Sequence, residues 1–81
     1  MKIADFRQLA TANAIGQVVF MRVIDEGWHV YAYDVKKANV IAQYGHQLMG
    51  TRGDPRMYTS LDRAWEAVRQ AGYGGVIDID G

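Results

Sequence analysis

Apolar positions change rhythm along this chain, and each change marks an element. Ile3, Phe6, Leu9, Ala10 and Ala14 recur at three- and four-residue steps, with Asp5, Arg7, Gln8 and Thr11 off the stripe, which predicts a short helix over 3–13. Gly16 lies just beyond its end. The run QVVFMRVI, 17–24, is β-branched, apolar and too continuous to prefer a helix, and Asp25-Glu26-Gly27 interrupts it, so it reads as the first strand of a hairpin. WHVYAYDV, 28–35, alternates Trp28, Val30 and Ala32 with His29, Tyr31, Tyr33 and Val35, and supplies the second strand. After the polar break 36–39, the apolar run 40–44 predicts a third strand. Gly45 then serves as a turn, a bulge or a strand end before a short QLMG piece.

The segment 51–72 is the most legible. Gly53-Asp54-Pro55 carries turn chemistry, 57–59 has room only for a short extended piece, and Ser60 is a good N-cap. A helix is expected from Leu61 to about Ala71, with Asp62 and Arg69 matched to its dipole and Gly72 at the C-cap. Leu61, Ala64, Trp65, Val68 and Ala71 form its apolar stripe. The closing VIDID alternates apolar and acidic residues, as an edge strand does, with Asp78 and Asp80 toward solvent.

This order predicts a single α+β domain over 1–81: a helix, a three- to five-stranded antiparallel sheet, a second helix and a final strand, both helices on one face. Arg22 serves to orient the sheet. Turned away from the helices, it takes Val18, Phe20 and Ile24 outward and leaves Val19, Met21 and Val23 inside, opposite Trp28, Val30 and Ala32. The open face then carries Phe20, Arg22, His29, Tyr31 and Tyr33, more aromatic than a merely solvated face requires. The competing reading has the loop 45–55 folded over that face.

Composition narrows the classes. With 81 residues, 49% hydrophobic and one Pro, there is room for one core, and domains this small often gain stability by forming a homodimer. No Cys is present, so disulfides, thiolate nucleophiles and thiolate zinc sites are excluded. No signal peptide or long apolar run is visible, and the expectation is a cytoplasmic protein without membrane contact. Nine acidic and nine basic residues balance, which argues against strong general attraction to phosphate backbones. Arg52, Arg56 and Arg63 nevertheless flank one turn and one helix start, where they suit a phosphate or an acidic protein surface. The bland alternative pairs them with Asp54, Asp62 or Glu66. His29 and His46 lack a second ligand at metal spacing, Arg52-Gly53-Asp54 reads as a turn, and Asp78 with Asp80 reads as edge protection. No catalytic arrangement, cofactor motif or metal site is predicted.

The pattern Arg52-Gly53-x-Pro55-Arg56-x-Tyr58-x-Ser60-Leu61-Asp62, with Asp5-Phe6-Arg7-x-Leu9, Gly72 and Asp78, resembles the ParC-type partition-associated proteins of bacterial plasmids and integrative elements. The stretch from Tyr33 to Gln47 departs from that pattern by its length. The resemblance implies a small cytoplasmic, non-enzymatic accessory protein of a mobile genetic element. Together with the aromatic sheet face and the basic turn, the expectation is a protein-binding role through Phe20, Arg22, Tyr31, Tyr33, Arg52, Arg56 and Arg63, serving partition or inhibiting a host defence complex, a class that includes anti-CRISPR proteins. The alternative is a nucleic-acid-binding accessory that uses the basic turn and stacks bases on the aromatic sheet face.

Overall fold

A computed structural model describes residues 1–34, 46–50 and 52–80. Helix α1 spans Ile3–Thr11. It opens with the Asp5 carboxylate accepting from the Lys2 amide at 3.4 Å and closes where Asn13 takes a φ of 57°. Asn tolerates this left-handed position better than most residues, so the helix stops short of 13 and does not depend on Gly16. Strand β1, Ile15–Val23, turns through Asp25 and Gly27, both at positive φ, into β2, Gly27–Asp34. Among the described residues, strand β3 is His46–Gln47. Helix α2, Leu61–Gln70, starts where the Ser60 hydroxyl accepts from the Arg63 amide at 3.2 Å and is followed by Gly72 at a φ of 103°. Strand β4 is Ile77–Asp80. The third strand expected over 40–44 lies outside the described residues.

The four strands are ordered β3-β2-β1-β4. The hairpin and the β2–β3 pair are antiparallel, but β4 runs parallel to β1, with Val18 beside Ile77 and Phe20 beside Ile79. The sheet is therefore mixed, not antiparallel: α2 carries the chain back across the sheet, so the last strand enters in the same direction as β1. Beyond β3 the chain keeps to the β2 edge. The Leu48 amide donates to the Val30 carbonyl at 2.8 Å, and Tyr58 exchanges both backbone bonds with Trp28, at 2.8 and 3.0 Å. Residues 46–50 thus extend the sheet and set Leu48 in the core, unlike a loop laid over the open face.

One core joins both helices to one side of the sheet. Phe6 from α1, Ala64 and Val68 from α2, and Val18, Phe20, Val30 and Ala32 from the hairpin are all buried in it, with Tyr58 and Tyr73 at its ends. Trp28 packs against it, as the β2 alternation predicts. The β1 orientation is the reverse of expectation. Register pairs Phe20 with Val30 and Val18 with Ala32, so Val18 and Phe20 face the helices while Val19, Met21 and Val23 lie on the far side. Arg22 shares the helix-side face with Phe20, but it sits opposite Trp28 near the strand end, where a long side chain reaches water from either face.

Trp65 also departs from its expected place. It is 49% exposed, with the Arg69 guanidinium 4.3 Å from its ring centroid. Ala64, Val68 and Ala71 bring α2 close to the sheet, and a Trp about 100° around the helix from Ala64 lands on the flank.

Candidate binding surface

The sequence offered seven contact residues, and the structure divides them. Phe20 is 0% exposed and belongs to the core. Tyr33, on the far side of the sheet by alternation, is only 4% exposed, and burial pushes its hydroxyl pKa upward, with the neighbouring Tyr31 adding to the rise. Neither presents an aromatic surface to a partner. Tyr31 remains half-exposed on the far face, among Val19, Met21 and the paired His29 and Gln47, whose amide Nε2 donates to His29 Nδ1 at 2.9 Å.

The four arginines are all accessible. Arg52 stands on the turn held by the Gly53 amide to the Gly50 carbonyl at 3.1 Å and the Gly50 amide to the Asp54 carbonyl at 2.7 Å. Arg56 and Arg63 come together in a cleft of about 340 Å³ between the segment 56–59 and α2, lined also by Met57, Tyr58, Thr59, Glu66 and Ala67. The Arg56 guanidinium lies 5.5 Å from the Tyr58 ring centroid, a cation–π contact that fixes its direction. Gln70 also lines the cleft and donates to Glu66 at 3.1 Å. Among the described residues, neither arginine has a carboxylate within salt-bridge distance, so the pairing with Asp54, Asp62 or Glu66 is not formed.

Two neighbouring clefts share residues with this one. Thr59 also lines a cleft of about 320 Å³ at the hairpin end, with Arg22, Asp25, Glu26 and Trp28. Arg56 also borders a smaller, largely apolar cleft of about 190 Å³ with Lys2, Ile3, Ala4, Met49 and Gly50. Sequence reasoning grouped Arg22 with the aromatic sheet face. The structure instead puts Arg22 in a cleft that shares Thr59 with the Arg56–Arg63 cleft, and Lys2 in one that shares Arg56 with it. Lys2 was missed, because only the Lys2–Met49 bridge and the Met1 ammonium donating to the Gln47 carbonyl at 2.7 Å bring the first residues to these clefts.

Among the described residues no group of three His, Asp or Glu is placed to hold a metal ion, and no helix is long and apolar enough to cross a membrane. Asp78 and Asp80 are exposed on β4, the former accepting from the Gln17 amide. Comparison with family models, curated proteins and solved structures gives no match, so the likeness to ParC-type proteins rests on the residues quoted for it alone.

Proposed function

We propose that this chain is a non-enzymatic binding protein that engages an acidic protein surface through the row of clefts carrying Arg22, Arg63, Arg56 and Lys2. The observation that supports this most is the pair Arg56 and Arg63 in one cleft, neither ion-paired with the Glu66 that also lines it, and Arg56 backed by an aromatic ring. Guanidinium groups suit planar carboxylates, and the Met57, Tyr58 and Ala67 that line the same cleft give a partner area to bury. A role in plasmid partition, or in occupying a surface of a host defence complex, accords with such a contact and with the resemblance to mobile-element proteins. In either role the protein acts by steric occupation in the bacterial cytoplasm and catalyses nothing.

The same arginines support a second reading, contact with nucleic acid phosphates. Salt separates the two, since each phosphate contact releases counterions and steepens the salt dependence of affinity, while a contact with an apolar centre weakens less. The test is capture of partners from bacterial lysate on the tagged chain, with and without nuclease and at low and high salt, beside an Arg56→Glu/Arg63→Glu variant. A defined protein that survives nuclease and salt and is lost with the variant supports the first reading. Nucleic acid alone, released by salt, replaces it with the second. A protein held equally by the variant overturns both.

A further inference from the structure

The opposite flank of the molecule has a different character. Strand β4 ends the sheet, and among the described residues no strand pairs with its outer edge. The Val18 amide donates to the Val76 carbonyl at 3.4 Å, which fixes the phase of the parallel ladder. Backbone groups of residues 76, 78 and 80 turn toward β1, so the N–H and C=O of Ile77 and Ile79 turn outward. The side chains sort as cleanly. Ile77 and Ile79 lie on the helix side, and Asp78 and Asp80 on the far side.

Natural edges are commonly short, bulged or covered. This one is short and acidic on one face, yet apolar on the other: Ile79 is 58% exposed and Val76 68% exposed. The exposed Trp65 ring is held under Arg69, whose Nη1 donates to the carbonyls of Tyr73 at 3.0 Å and Gly75 at 3.1 Å. The α2 flank is thereby tied to the chain entering β4.

We propose that the outer edge of β4 docks an extended segment of another protein that alternates basic and apolar residues and adds as a fifth strand. Its basic side chains would lie beside Asp78 and Asp80, and its apolar ones beside Ile79. A second copy of this chain is the wrong occupant. Antiparallel β4–β4 pairing about a twofold axis would gather the aspartates of both copies on one face, and like charges set opposite one another destabilise a sheet. This surface is separate from the arginine clefts and of opposite sign, so it does not depend on the function proposed above.

The probe is the capped peptide acetyl-Lys-Val-Lys-Val-Lys-Val-amide, with its Glu-Val counterpart as control, titrated into the full chain and followed by backbone NMR and amide hydrogen exchange. Saturable binding of the Lys-Val peptide is expected, with slowed exchange at the Ile77 and Ile79 amides. Ile79→Pro removes an outward N–H without touching the β1 ladder and should weaken binding about tenfold. Asp80→Lys, which leaves Asp78 beside a lysine, should abolish the preference for the Lys-Val peptide, and it decides the matter if Ile79→Pro does not fold. Unprotected Ile77 and Ile79 amides at saturation, undiminished binding by a folded Ile79→Pro chain, or an unchanged preference in Asp80→Lys would each overturn the proposal.

Discussion

At Gly27 the chain from Met57 to Tyr58 passes so close that an added Cβ would stand 2.3 Å from the Tyr58 carbonyl oxygen, and the residue's φ of 137° is one that L side chains rarely adopt. Strain and clash act together, so Gly27→Ala should cost at least about 1–3 kcal/mol, out of roughly 4–12 kcal/mol for a domain of this length. Urea unfolding measures it, and an unchanged midpoint would mean that Tyr58 does not pair beside Trp28. Phe20 and Trp65 make a second contrast. Phe20→Ala should cost about 3–5 kcal/mol, while Trp65→Ala, which loses a half-exposed ring and its stack with Arg69, should cost roughly 1–2 kcal/mol. Equal losses in the same unfolding experiment would refute the burial difference. Sequence reasoning ranked these two the other way round: it let one charged residue, Arg22, set the direction of all of β1, and it counted Trp65 into the apolar stripe of α2. A charge specifies a face only in mid-strand. Near a strand end it reaches water from either side, and the register of Phe20 with Val30 decides instead.

Elements defined by local chemistry were the ones sequence could place. Helix α2 begins and ends within a residue of expectation because Ser60, Asp62, Arg69 and Gly72 act on backbone groups beside them. Ser60→Ala removes the acceptor for the Arg63 amide and should destabilise the protein by about 1 kcal/mol. Hydrogen exchange would locate the loss in the first turn of α2, and uniform loosening of the whole chain would argue against a capping role. The direction of β4 was not legible, since VIDID alternates identically whether its neighbour runs parallel or antiparallel. Only the crossover made by α2 selects the parallel arrangement. The candidate site divides in the same way. Arg56 and Arg63 were legible as neighbours of one turn and one helix start, whereas the approach of Lys2 and Arg22 to them depends on pairings distant in sequence.

For the molecule as a whole, alkaline pH tests the two sides of the sheet together. Tyr33 lies on the far side and Tyr73 in the helix-side core, 6.3 Å from the Phe6 ring, and both hydroxyls titrate above their ordinary range. For Tyr73 burial is the main cause, opposed by the Arg69 guanidinium and reinforced by the Asp78 carboxylate, while its hydroxyl donates to the Val76 carbonyl. A raised folded pKa means that the folded state holds its proton more tightly than the unfolded chain. The associated stability is therefore fully present below the unfolded tyrosine value of about 10 and is lost as pH rises through the folded values. Denaturant unfolding at successive pH values should show this decline, accompanied by tyrosinate absorbance that appears with unfolding. Tyr73→Phe gives up a hydrogen bond worth about 1 kcal/mol at neutral pH but removes one of the two linked ionisations, so its alkaline decline should be shallower than that of the native chain. An equally steep decline would place the linkage elsewhere and would leave Tyr73 without a part in it.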